Sequence, residues 1–292
     1  MTDGIIVKAN SGFYYVKCGG EIVECHARGI FRKQKISPLV GDRVRITKNG
    51  GDGTVEEIVP RKNSLIRPPV ANIDTLFIVV STVEPEPNML VIDKLIVTAE
   101  QKNIEPVVVV TKDDIKDGGY FTGIYEKSGI ESFTASGITG EGIERLKTLI
   151  RGKIGAFTGN SGVGKSTLIN RIDPALSQDT GEISKKLGRG RHTTRLVELF
   201  ETCGGFIADT PGFSAIDTIK FEPILKENLQ YAFREFAPFI NKCRFTGCSH
   251  TKESGCAVIE ALQNGEIAPS RHKSYCEMYE EAKGIKEWEL KK

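Results

Sequence analysis

The first 68 positions alternate apolar and polar residues in short runs. Ile5-Ile6-Val7, Phe13-Tyr14-Tyr15-Val16, Ile22-Val23-Glu24-Cys25, Val44-Arg45-Ile46 and Val55-Glu56-Glu57-Ile58 read as strands, because a period of two puts every second side chain on one face. Asn10-Ser11-Gly12, Gly19-Gly20, Gly41-Asp42 and Gly50-Gly51-Asp52-Gly53 supply turns between them. Closure removes the exposed edges of such short strands, so residues 1–68 are expected to form a small β-barrel. An OB-fold, a barrel that commonly binds nucleic acid, fits this pattern; an SH3-like barrel would present it too.

At Arg67-Pro68-Pro69-Val70 the texture changes, since proline excludes helix and restrains its predecessor. Apolar stretches at 76–81, 107–110, 154–158, 197–200 and 206–209 predict strands. The run 107–110, four valines, is of the kind buried on both faces of a parallel sheet. Helical periodicity at 90–102 and 141–150, and a helix opening at 165–171, fall between them. This alternation predicts a three-layer α/β domain over residues 69–220. Residues 221–292 form a third region. Within it 223–236 has helical spacing, with Leu225, Leu229, Phe233 and Phe236 near one face, and 270–292 is charged and helix-prone.

Length and composition change this picture little. A chain of 292 residues is long enough for two or three domains. The net charge of +2 is unevenly spread: residues 1–68 carry 12 Lys and Arg against 7 Asp and Glu, and 69–220 carry 17 against 20. A basic barrel can face a polyanion, and Arg28, Arg32, Lys33 and Lys35 lie together between two predicted strands; an ordinary solvated loop would read the same way. No apolar run is long enough to span a bilayer, and the start of the chain lacks the basic-then-apolar pattern of a signal peptide. Seven cysteines, an odd number without secretory context, favour reduced thiols or metal ligands and a cytoplasmic protein.

Two motifs carry the chemistry, and their order is unusual. Gly159-Asn160-Ser161-Gly162-Val163-Gly164-Lys165-Ser166, with Thr167 after it, matches the phosphate-binding P-loop in full, between a predicted strand and a predicted helix. In such a loop backbone amides cradle phosphate oxygens, Lys165 reaches the β- and γ-phosphates, and Ser166 binds Mg²⁺. Thr111-Lys112-Asp113-Asp114 reads as a guanine-recognition loop. The Asp114 carboxylate can accept two hydrogen bonds from guanine, whereas adenine would leave it unpaired. Thr111 stands where Asn is usual, and Thr134-Ala135-Ser136-Gly137 resembles the supporting base loop, so Ser136 is a further candidate. In an ordinary GTPase the phosphate loop comes first. Here it comes second, as in a circularly permuted domain.

Asp209-Thr210-Pro211-Gly212 ends an apolar run downstream of the P-loop. Asp209 fits the Mg²⁺-associated acid and Gly212 the amide that senses the γ-phosphate. Between the P-loop and this motif, Gly188-Arg189-Gly190-Arg191-His192-Thr193-Thr194-Arg195 has the glycines, cations and threonines of a switch loop; Thr193 or Thr194, with Thr193 preferred, would complete Mg²⁺ coordination. Ras-like enzymes place a water-orienting Gln directly after the Asp-x-x-Gly motif. Phe213 occupies that position and cannot serve, so His192 is the candidate within the chain and a partner-supplied group the alternative.

Cys243, Cys248, His250 and Cys256 form a Cys₃His set with the spacing of a closed, structural Zn²⁺ site. Cys276 is a possible substitute ligand, and Cys18, Cys25 and Cys203 are expected to be small buried apolar residues.

Taken together, the motif order, the N-terminal barrel, Arg67-Pro68-Pro69-Val70-Ala71-Asn72-Ile73-Asp74, Gly188–Thr194 and the Cys₃His set resemble the RsgA family of bacterial ribosome-small-subunit-dependent GTPases. The resemblance covers essentially the whole chain. It implies an OB-fold, a permuted GTPase domain and a C-terminal zinc domain. It further implies GTP hydrolysis stimulated by the small ribosomal subunit during late maturation, by a monomer. On this resemblance the catalytic His falls on His192 and the zinc ligands on Cys243, Cys248, His250 and Cys256. Other readings are a GTPase regulating a protein or membrane, an ATP-dependent P-loop enzyme, and a nucleic-acid-binding module with an inactive nucleotide domain. Lys112 and Asp114 argue against the second, and the complete P-loop with Asp209 against the third.

Overall fold

The computed structural model describes residues 1–34, 36–176, 197–209 and 223–285. His192, Thr193, Thr194, Gly212 and Lys35 lie outside the described residues.

Five strands build the N-terminal barrel: β1 (Thr2–Asn10), β2 (Phe13–Cys18), β3 (Glu21–Ala27), β4 (Arg43–Asn49) and β5 (Asp52–Ile58). They pair in the circuit β1-β2-β3-β5-β4-β1, with β3 and β5 parallel and the other neighbours antiparallel. This is a five-stranded Greek-key closure, so the OB-fold holds over the SH3-like alternative. Ile6, Val16, Val23, Cys25, Val44, Ile46 and Val55 fill the interior, as the period-two pattern requires. The basic connection between β3 and β4 carries a short helix, α1 (Gly29–Lys33).

After the short strands β6 (Ser64–Leu65) and β7 (Val70–Ala71) comes a parallel array. It is formed by β8 (Thr75–Ser81), β9 (Glu105–Thr111), β10 (Glu131–Thr134), β11 (Ile154–Thr158) and β13 (Gly205–Asp209), in the order β10-β9-β8-β11-β13, with β12 (Glu198–Thr202) antiparallel on β13. Alternation along β8 separates the two faces. Leu76, Ile78 and Val80 pack with α2 (Met89–Gln101) and α3 (Gly119–Lys127), while Phe77 and Val79 pack with α4 (Ile143–Ile150) and α5 (Lys165–Ile172). This is the expected three-layer arrangement.

The C-terminal region departs from the sequence expectation. Residues 223–236 are not one helix: α6 (Lys226–Leu229) passes into 3₁₀ turns at Gln230–Ala232 and Arg234–Phe236, separated by Phe233 in extended conformation. The break lets Leu229, Phe233 and Phe236 all reach one core. α7 (Ala257–Gln263) follows the cysteine cluster, and α8 (Pro269–Ala282) occupies the start of the charged, helix-prone stretch 270–292. Cys18 and Cys25 are buried as expected, but Cys203 is partly exposed at the turn between β12 and β13.

Candidate nucleotide and metal sites

Four of the predicted nucleotide segments sit at the carboxyl ends of parallel strands: Thr111 ends β9, Ala135 follows β10, Gly159 follows β11 and Asp209 ends β13. Open α/β sheets bind ligands along that edge. Gly159 approaches β8 so closely that a Cβ would lie 2.3 Å from the Val79 carbonyl oxygen. Gly164 caps α5 in left-handed conformation, aiming the loop into a helix N-terminus that favours anions. Lys165 Nζ donates to the carbonyl oxygens of Gly159 (2.7 Å) and Asn160 (2.6 Å), and burial lowers its pKa. Ser166 and Thr167, on the first turn of α5, are exposed.

Across the sheet edge the base loop meets the phosphate loop. Thr111 is buried, and its Oγ1 lies 2.6 Å from the Val163 carbonyl oxygen and 3.1 Å from that of Val80. Val163 belongs to the P-loop, so one hydroxyl joins motifs 52 residues apart along the chain. Thr82, which the sequence reading did not single out, buttresses this loop: its Oγ1 donates to the Lys112 carbonyl (2.7 Å) and its N–H to that of Thr111 (3.0 Å). Lys112, at φ +60°, donates from Nζ to the Glu84 carbonyl.

The remaining candidates divide their labour. Asp113 accepts the Gly118 N–H at 2.6 Å and so shapes the loop. Asp114 is exposed, with no protein partner among the described residues. In the third loop Ser136 donates its N–H to the Glu141 carbonyl (2.9 Å), and its Oγ accepts from Ile138 N–H (3.3 Å) and Thr139 N–H (3.1 Å). Gly137 packs on α5; a Cβ there would stand 2.6 Å from the Thr167 carbonyl oxygen. Both base loops are therefore locked onto the phosphate-binding segment.

The metal ligands also converge. The ligand atoms of Cys243, Cys248, His250 and Cys256 lie within 4.8 Å of one another. Cys243 Sγ is 3.5 Å from His250 Nδ1 and 3.8 Å from Cys256 Sγ. Burial pushes the Cys248 thiol up to about 12, so thiolates at this spacing require a cation. Three sulfurs and one imidazole fit a tetrahedral structural zinc. His250 Nε2 lies 2.9 Å from Gln230 Oε1, a partner that would fix the ring's tautomer and that no local motif announced. Cys276 stands apart, 3.8 Å from His272 Nδ1.

The geometry has counterparts among known proteins. A family profile described as RsgA GTPase matches residues 58–219, and one described as RsgA N-terminal domain matches residues 3–55. The chain belongs to the RsgA GTPase family. Relatives named small ribosomal subunit biogenesis GTPase RsgA include one from Geobacillus thermodenitrificans, 45% identical over 290 residues (97% of this chain, 98% of the relative). Another, from Caldanaerobacter subterraneus subsp. tengcongensis, is 47% identical over 285 residues (96% and 95%). The crystal structure of YjeQ from Thermotoga maritima superposes with a TM-score of 0.82 at 36% identity, covering 98% of this chain and 99% of that one. YloQ, described as a circularly permuted GTPase, gives 0.81 at 36% identity, covering 98% and 96%. The chain is thus a permuted P-loop GTPase of the RsgA family, whose chemistry is hydrolysis of GTP with Mg²⁺. Among the described residues no helix is long and apolar enough to cross a membrane.

Proposed function

We propose that this GTPase acts in maturation of the small ribosomal subunit, and that the subunit stimulates its turnover. Full-length relatives bearing the name small ribosomal subunit biogenesis GTPase support the reading. The observation that carries the catalytic part is the Thr111–Val163 contact, which brings a guanine loop and a phosphate loop over one site. The chain works as a cytoplasmic monomer in three parts, 1–68, 69–220 and 221–292.

In this reading residues 159–167, with Lys165 foremost, hold the phosphates. Asp114 reads the guanine edge, Lys112 packs along the purine, and Thr111, Asp113 and Ser136 set the loops that present them. The exposed Ser166 hydroxyl fits a magnesium ligand, with Asp209 and Thr193 as the other candidates. Magnesium bound there neutralises charge on the β- and γ-phosphates. His192 orients and deprotonates the attacking water, and Gly212 senses the γ-phosphate.

Turnover of GTP and ATP, each with and without purified small subunits, tests the proposal. GTP alone should be hydrolysed, and faster with subunits; equal use of ATP, or indifference to subunits, refutes it. His192→Ala should lower the stimulated rate by roughly 10²- to 10⁴-fold, the usual worth of general acid–base help, with GTP affinity retained. Unchanged stimulated turnover would remove His192 from the role.

A further inference from the structure

We propose that the zinc-binding knuckle is an RNA-stacking site: Phe245 receives the base of an unpaired nucleotide, and Lys242, Arg244 and Lys252 hold the adjoining phosphates. The proposal rests on the ribosomal reading above and names the kind of RNA that this part of the molecule takes.

The charge pattern points there. Most barrel cations already have acids beside them, as in Lys8–Glu198, Arg28–Glu56, Arg45–Glu57 and Arg61–Asp42. Lys242, Arg244 and Lys252 are exposed and have no carboxylate partner among the described residues. The one acid inside the knuckle, Glu253, is already engaged: it accepts N–H bonds from Ser249 (2.9 Å), Thr251 (3.1 Å) and Lys252 (3.1 Å). Free cations in the same short segment as an exposed aromatic ring complement a polyanion that also offers an apolar face.

The ring is presented rather than packed. Phe245 is 52% exposed, although burying a Phe side chain normally stabilises a fold. The Arg244 guanidinium carbon lies 5.4 Å from the ring centroid, extending the flat surface. The backbone beneath is fixed by the metal-ligand set: Arg244 N–H donates to the Gly255 carbonyl (2.9 Å), and Ala257 N–H to Cys243 Sγ (3.3 Å). A rigid loop with an exposed aromatic and flanking cations binds single strands, because every unpaired base has a stacking face and a duplex hides it.

The test uses the full-length, zinc-loaded protein and a fluorescent unstructured oligouridylate, with an RNA duplex alongside. Phe245→Ala should weaken oligouridylate binding roughly tenfold or more, and Phe245→Trp should retain it. Neutralising Lys242, Arg244 and Lys252 together should lower the salt dependence of log affinity by about 2. Zinc content and basal GTP hydrolysis should stay unchanged in every variant. The proposal is overturned if Phe245→Ala binds oligouridylate as the wild type does, or if duplex and single strand bind equally well. If single-strand binding depends on Phe245 while small subunits leave GTP hydrolysis unaffected, the stacking site stands and the ribosomal reading falls.

Discussion

Thr111 shows how one side chain can join two distant motifs. At the guanine motif an Asn would be usual, and Thr lacks its side-chain amide but keeps a hydroxyl. That hydroxyl points to the Val163 carbonyl, inside the P-loop. The predicted base loop and the P-loop are thereby joined by a hydrogen bond of 2.6 Å. Thr111→Val keeps the shape and removes the donor. A buried acceptor left without its partner costs about 1–3 kcal/mol, so GTP and GDP affinity should fall roughly 5- to 150-fold. The preference for guanine over adenine should not change, because Asp114 is untouched, and Thr111→Ser should restore binding. Titration with fluorescent nucleotides checks all three outcomes; full affinity in the Val variant would mean that the clasp couples nothing.

At the scale of elements, what was legible in the sequence was what is encoded locally. The barrel strands, the valine run of β9, strand β11 to the residue, and the start of α5 follow from period and glycine placement. The Cys₃His set was legible for the same reason, four ligands lying within one short segment. Residues 223–236 misled because their helical spacing was real while the partners that decide the backbone lie far away. Arg234 reaches Glu100 (2.6 Å) and Glu105 (2.9 Å), and its neighbour Glu235 turns inward to Arg271 (2.8 Å). Arg271 is fully buried between Glu235 and Asp93, the latter 178 residues away along the chain. Burial opposes its charge, but the two carboxylates outweigh that and raise its pKa. Removing one member of a buried ionic set strands the others, so Arg271→Ala should cost about 3–5 kcal/mol. Urea unfolding checks the size, and hydrogen exchange should show α2 and α8 losing protection together; a loss below 1 kcal/mol would mean that water already serves these carboxylates.

For the molecule as a whole, the barrel and the C-terminal region are held to the GTPase sheet with unequal strength. The C-terminal module grips α2 and β9 through Arg271 and Arg234. The barrel meets the GTPase sheet differently. Strand β1 pairs with β12 at Lys8↔Glu198, and ion pairs Lys8–Glu198 (3.0 Å) and Lys17–Glu201 flank the seam, all partly exposed. Exposed pairs contribute about 0.2–1 kcal/mol each and are screened beyond a Debye length of about 10 Å at 0.1 M salt. The buried Arg271 set is screened far less. Salt should therefore loosen the barrel seam well before it loosens the C-terminal module. In the sequence β12 follows six residues after His192, the proposed catalytic residue, so the seam adjoins that segment along the chain. Hydrogen exchange at low and high salt should show faster exchange in residues 2–10 and 198–202 at high salt, with little change in 269–282. Lys8→Glu should reproduce the effect at low salt, and adding Glu198→Lys should reverse it. Equal salt response in both regions would place the seam's strength in its backbone pairing, and the barrel would then ride rigidly on the GTPase sheet.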